Sequence, residues 1–177
     1  MLILVTGGSR SGKSGFALET AARFRGPRIF LATAQESDQE MKQRIRAHRN
    51  ARPAGWSVVE EPRELAPSLR AALGRDGAGT VIIDCITIWI SNLILGDDAF
   101  GEAEAAAKAH ELAETARAAA AGVIVVTNEV GSGVVPDNAL ARRFRDCAGR
   151  ANQVLAREAA EVHLCVSGIA VAIKKGN

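Results

Sequence analysis

The sequence has no tyrosine, and its aromatic content stops at five phenylalanines and two tryptophans. That leaves few rings on which a single-stranded nucleic acid could stack its bases. Lysine and arginine outnumber aspartate and glutamate by only 22 to 20, so net charge gives no reason to expect a nucleic-acid or membrane partner, and basic character has to be read locally. Cysteine is scarce: Cys85, Cys147 and Cys165 stand far apart with no C-x-x-C spacing. This argues against a zinc site or a disulfide framework and suits small core thiols in a reducing compartment. Long apolar runs are missing as well. Leu2 to Val5 is too short for the hydrophobic region of a secretory signal, and Ala118 to Val126 falls far below the roughly 20 residues of a membrane span. A cytoplasmic protein without a membrane span is expected. No repeat, linker or low-complexity tail interrupts the chain, and 177 residues with 47% hydrophobic and 24% charged content suit a single domain over residues 1–177.

What is present is concentrated at the start. Gly7-Gly8-Ser9-Arg10-Ser11-Gly12-Lys13-Ser14 fills the pattern G-x-x-x-x-G-K-[ST] immediately after the apolar run Leu2-Ile3-Leu4-Val5, which is the strand-to-helix context of a phosphate-binding loop. Glycines let backbone N–H groups turn toward a phosphate, the next helix adds its positive dipole end, and Lys13 supplies a cation. Ser14 would offer its hydroxyl to Mg²⁺. An ordinary glycine-rich turn does not explain lysine and serine in that order, so a nucleoside triphosphate is the expected ligand. Further on, Thr80 to Ile83 is an apolar run ending in Asp84. Alone, that acid could simply cap the next turn; beside a phosphate loop it reads as the second ligand of Mg²⁺.

The remaining elements alternate. Strands are expected at Arg28–Ala32, Trp56–Val59, Thr80–Ile83 and Val123–Val126, with Val162–Val166 and Ile169–Ile173 as an edge hairpin around Ser167-Gly168. Helices are expected from Lys13 to about Phe24, Ser37 to about Asn50, Pro62 to about Leu73, Ile86 to Leu95, Glu102 to Ala121 and Asp137 to about Ala160. The Ser37 start rests on the capping box Ser37-Asp38-Gln39-Glu40. This pattern gives an α/β fold, a three-layer P-loop NTPase architecture with a mostly parallel sheet between helices. Arg142, Arg143, Arg145 and Arg150 lie off the apolar stripe of the last helix and are expected to be solvated. The polar loop Thr127 to Gly133 follows a buried strand, at the edge of a parallel sheet where ligands bind.

Between Met41 and Val59 no acidic residue occurs, while Lys42, Arg44, Arg46, Arg49 and Arg52 are basic. Such a cluster wants an anion. His48 lies within it, spaced with Met41 and Ile45 so as to finish an amphipathic face, the role the spacing favours; the other role is attack on phosphorus while Arg49 and Arg52 neutralise the phosphates it approaches. The spacing leaves both roles open. His110 and His163 read as structural.

Taken together, the loop Gly7 to Ser14, Ala32-Thr33-Ala34, His48-Arg49 with Arg52-Pro53, Trp56 with Glu60, Asp84-Cys85-Ile86-Thr87, Thr127-Asn128-Glu129-Val130-Gly131, Val135 to Asn138 and Phe144-Arg145-Asp146 closely resemble the bifunctional adenosylcobinamide kinase/adenosylcobinamide-phosphate guanylyltransferases of cobalamin biosynthesis. The resemblance runs from end to end. It implies a protein that phosphorylates the aminopropanol hydroxyl of a corrinoid, adenosylcobinamide, and then transfers GMP from GTP to that phosphate through a GMP-histidine intermediate, with His48 at the histidine's position. It further implies that Gly7 to Ser14, Ala32, Thr33, Ala34, Arg49, Asn50, Ala51, Arg52, Glu60 and Asp84 contact nucleotide, with Lys13 catalytic, GTP and ATP as substrates, and a homotrimer. Guanine preference rests on the resemblance, because Thr127-Asn128-Glu129-Val130 lacks the N-K-x-D pattern of signalling GTPases. Two other readings suit the same residues: a kinase of another small molecule in which His48 is structural, and a nucleotide-dependent assembly or regulatory ATPase.

Overall fold

The structure is a computed structural model that describes residues 1–35, 39, 42–43, 54–74 and 79–176. A seven-stranded sheet runs through it in the order β3-β2-β4-β5-β1-β6-β7. The strands are β1 (Leu2–Gly7), β2 (Arg28–Ala32), β3 (Trp56–Glu60), β4 (Thr80–Asp84), β5 (Gly122–Val126), β6 (Glu161–Val166) and β7 (Ile169–Lys174). All neighbours pair in parallel except β6 with β7, so the mostly parallel sheet and the terminal edge hairpin read from the sequence are both present.

Described helices are α1 (Lys13–Ala21), α2 (Leu65–Leu73), α3 (Ile86–Gly96), α4 (Glu102–Ala118) and α5 (Ala139–Glu158). Successive side chains of a strand face opposite sides, and the two faces of β1 accordingly feed two cores. Ile3 and Val5 pack with Ala17 and Ala21 of α1; Leu2 and Leu4 pack with residues of α2 to α5, including Leu69, Trp89, Leu112 and Leu155. Helices on both sides of a central sheet make the three layers. Burying each large aliphatic side chain contributes about 1.5–3 kcal/mol, which is why the inner strands are apolar on both faces.

Element ends differ from the sequence expectation where side chains or neighbouring strands claim the backbone. Helix α1 stops at Ala21 rather than Phe24, because the N–H groups of Ala22, Arg23 and Phe24 bond three residues back, to Glu19, Thr20 and Ala21, tightening the final turn. Phe24 then lies against Gly122, where an added Cβ would meet its ring at 2.5 Å. Helix α2 begins at Leu65, not Pro62: the Pro62 and Arg63 carbonyls accept from Asn92 Nδ2 and Trp89 Nε1 at 3.1 and 2.7 Å, while Glu61 Oε1 accepts from the Arg63 and Glu64 N–H groups. Helix α4 ends at Ala118, three residues before Ala121, where the Ala119 and Ala121 carbonyls accept from the N-terminal ammonium. Helix α5 starts at Ala139, with Asn138 Oδ1 capping Ala141 N–H at 2.7 Å. Of the helix expected over 37–50, only Gln39, Lys42 and Gln43 are described, and they are helical.

Arg150 of α5 is exposed as expected, while Arg142 and Arg143 are less solvated than expected. Arg142 donates to the Pro136 and Asp137 carbonyls at 3.0 and 2.7 Å, and Arg143 to the Asp98 carbonyl. They fasten flanking loops to the helix. His110 is exposed on α4, and His163 Nε2 lies 3.0 Å from Glu161 Oε2 with its ring against Phe16. Cys85, Cys147 and Cys165 are free and buried, as read from their scatter. Among the described residues no helix is long and apolar enough to cross a membrane.

Candidate active site

The carboxyl ends of the strands bring the sequence-predicted residues that the structure describes to one edge. Strand register sets Asp84 beside Ala32 and Val126, and Ala32 beside Glu60, while β1 delivers Gly7 into the loop. Gly7 has φ +150°, and a Cβ there would meet the Cys165 carbonyl oxygen at 2.3 Å; Gly12 has φ +94° and its Cβ would meet Gly168 Cα at 3.1 Å. Both positions therefore need glycine for backbone conformation and for close approach. Gly168 N–H donates to Ser11 O at 3.0 Å, so the β6–β7 turn braces the loop from behind.

Lys13 opens α1 with only 7% of its surface exposed. Its ammonium donates to Gly8 O at 2.5 Å and to Ser11 Oγ at 3.3 Å. Burial lowers its pKa from the ordinary 10.5, opposed by the charge that Cys85, Asp84 and Cys165 can carry. An approaching phosphate reverses this shift, because an opposite charge favours the cationic form. Ser14 Oγ donates to Asp84 Oδ2 at 3.3 Å across 70 residues of sequence. A hydroxyl and a carboxylate in contact offer hard oxygen donors, and they suit Mg²⁺, which binds few protein ligands and keeps several waters.

Around this pair the strand ends are locked by side chains. Thr33 is fully buried; its Oγ1 accepts from Cys85 N–H at 2.8 Å and donates to Cys85 O at 2.9 Å, and its N–H donates to Asp84 O at 3.2 Å. Thr33 thus holds the β4 end rather than opening its side chain to solvent. Ala32 is buried, Ala34 half-buried, and Glu60 exposed at the end of β3. Burial, then the Asp84 carboxylate, pushes the Cys85 thiol up to about 11, which keeps it a neutral thiol rather than a nucleophile. His48, Arg49, Asn50, Ala51 and Arg52 lie outside the described residues.

The loop after β5 holds residues that the sequence pattern leaves without individual roles. Glu129 Oε1 accepts from Thr6 Oγ1 at 2.8 Å, and Glu129 N–H donates to Gly7 O at 3.1 Å. Asn128 Nδ2 donates to Thr87 Oγ1 at 2.7 Å; Thr127 Oγ1 donates to Asn152 Oδ1 at 2.7 Å, and Asn152 Nδ2 donates to Asn128 O at 3.1 Å. The available signal was a polar triplet directly after an apolar strand; what it touches depends on strand order. Beyond the triplet, Gly131, Gly133 and Val135 face Arg145, Asp146 and Gln153 of α5 across a cavity of about 610 Å³.

Residues 3–173 match the family described as cobinamide kinase / cobinamide phosphate guanyltransferase. The chain belongs to that family. It is 43% identical over 184 residues to the bifunctional adenosylcobalamin biosynthesis protein CobU of Salmonella typhimurium strain LT2, covering 98% of this chain and 100% of the relative. It is 41% identical to the protein of that name from Escherichia coli strain K12, with the same coverage. Bifunctional adenosylcobalamin biosynthesis protein CobP of Pseudomonas aeruginosa is 40% identical over 174 residues, 97% of this chain and 96% of the relative. The match to the cobinamide kinase family spans both the loop with Asp84 and the basic segment around His48, so membership does not rest on the phosphate loop alone.

Proposed function

We propose that this chain phosphorylates the aminopropanol hydroxyl of adenosylcobinamide with a nucleoside triphosphate, and then transfers GMP from GTP to adenosylcobinamide phosphate. The products of the second reaction are adenosylcobinamide-GDP and pyrophosphate. The observation that carries the reading is the contact of Ser14 Oγ with Asp84 Oδ2 beside buried Lys13, in a chain that matches the family over residues 3–173. ATP and GTP are the substrates held by the loop Gly7 to Ser14, with Ala32, Thr33, Ala34 and Glu60 forming the neighbouring strand ends.

Lys13 and the loop N–H groups hold and neutralise the triphosphate, and phosphoryl transfer is accelerated chiefly by such positioning and charge stabilisation. Ser14 and Asp84 would hold Mg²⁺, which supplies further neutralisation of phosphate charge when bound. In the second reaction His48 attacks the α-phosphorus of GTP, pyrophosphate leaves, and the GMP-histidine then yields GMP to the phosphate of the acceptor; two displacements replace one harder one. Arg49, Asn50, Ala51 and Arg52 line the nucleotide in this reading. The protein works as a cytoplasmic homotrimer without a nucleic-acid partner; light scattering of the purified protein checks the trimer directly.

Incubation with α-labelled GTP and Mg²⁺ tests the reading. Label is expected to stay on the denatured protein through an acid-labile, base-stable bond, as a phosphoramidate behaves, and to be absent from His48→Asn. Retention of label by His48→Asn, or none on the parent protein, overturns the histidine intermediate.

A further inference from the structure

The sheet order carries a consequence for the acceptor. Strand β5 lies between β1, which delivers the phosphate loop, and β4, which delivers Asp84. Residues leaving β5 therefore emerge between the two halves of the triphosphate site. Glu129 is the acid at that point. One carboxylate oxygen is fixed by Thr6 Oγ1 at 2.8 Å and its backbone is fixed to Gly7 O. The other oxygen makes no hydrogen bond among the described residues, and the side chain is exposed.

Resting on the proposed kinase reaction, we propose that Glu129 is the proton acceptor for the alcohol that is phosphorylated. Its competitors at this edge are otherwise placed: Asp84 lies on Ser14, and Glu60 ends the sheet-edge strand β3, with β2, β4 and β5 between it and β1. Thr6 alternates with Val5 and so shares the face of Leu2 and Leu4, covered by α2 to α5 and opposite α1. The carboxylate held by Thr6 thus stands on the side away from the helix that Lys13 opens. The cavity bounded by Gly131, Val135 and Arg145 begins two residues further along on the α5 side, leaving room there for a bulky alcohol. In the step, the hydroxyl proton passes to the Glu129 carboxylate as the alcohol oxygen bonds to the γ-phosphorus. The bond from that phosphorus to the β–γ bridging oxygen breaks, and the nucleoside diphosphate leaves with the electron pair.

The test compares the parent protein with Glu129→Gln and Glu129→Asp, using cobinamide and ATP for the kinase reaction and α-labelled GTP alone for labelling of the protein. Positioned general bases contribute about 10²–10⁴-fold, so Glu129→Gln is expected to lose kcat in that range with an unchanged KM for ATP and unchanged label retention. Glu129→Asp, which keeps a carboxylate, is expected to recover part of the rate. Parent-level kcat in Glu129→Gln overturns the role. A loss of label retention equal to the loss of kcat also overturns it, since that marks a damaged loop rather than a missing base. A parent protein that does not phosphorylate cobinamide overturns the proposed function and the role of Glu129 with it.

Discussion

Ser14 and Asp84 are joined by one hydroxyl-to-carboxylate contact of 3.3 Å, and each is useful only because the other is there. Replacing Asp84 with Asn keeps the size and the hydrogen-bonding capacity but removes the charge a divalent cation needs. Losses of about 10–100-fold in metal affinity follow when merely supporting partners of a metal ligand are removed. Asp84→Asn is therefore expected to raise the Mg²⁺ concentration for half-maximal activity by at least about tenfold. Titration of the kinase rate against Mg²⁺ measures it, and an unshifted midpoint would remove Asp84 from the cation site.

The phosphate loop and the β6–β7 hairpin act as one unit at the scale of elements. Gly7 lies against the Cys165 carbonyl, Gly12 against Gly168, and Gly168 N–H donates to Ser11 O. A methyl at Gly7 has no space at 2.3 Å from that carbonyl oxygen, so the loop and β6 must separate. Overpacking of this kind costs about 1–3 kcal/mol. Gly7→Ala is expected to lose stability in that range on urea unfolding and to raise the KM for nucleotide; unchanged values of both would show that the hairpin does not brace the loop. The motif itself predicted the glycines, but not what they press against. More generally, strand positions were legible because two-sided burial leaves apolar runs such as Val123 to Val126. Helix ends were not, because Pro62, Arg63, Ala119 and Ala121 give their carbonyls to groups distant in sequence. The role of Glu129 was hidden for the same reason: adjacency of β5 to β1 is a property of the sheet, and local pattern does not encode strand order.

Across the whole molecule, Glu161 ties the start of β6 to the turn that follows α1. Arg23, two residues past the end of α1, donates to both its oxygens at 2.7 and 2.6 Å, and His163 lies at 3.0 Å. The Arg23 hydrogen bonds, then the contact with His163, overcome burial and lower the Glu161 pKa from 4.5 to about 2. A carboxylate depressed in the folded state contributes stability that is complete above its unfolded pKa and is lost as pH falls through the folded one. The contribution of Glu161 should therefore fade between about pH 4.5 and 2. Glu161→Gln is expected to be less stable than the parent at neutral pH and to show a shallower loss in that window; parallel acid-unfolding curves would contradict this.

The site as a whole is legible in sequence only to the extent that its parts are contiguous. The loop Gly7 to Ser14 is one stretch; its pairing with Asp84 was inferable from chemistry, and the assignment of His48 rests on likeness to the family. One loop serving both reactions is the central claim, because γ-phosphoryl transfer and guanylyl transfer are both taken to begin from a triphosphate held by Lys13. Measuring Lys13→Met for phosphorylation of cobinamide and for retention of α-label from GTP tests it most directly. A shared loop predicts that both fall together, by about 100-fold or more as for other removed charge-stabilising groups. Parent-level label retention alongside a lost kinase rate would contradict it and place GTP elsewhere on the molecule.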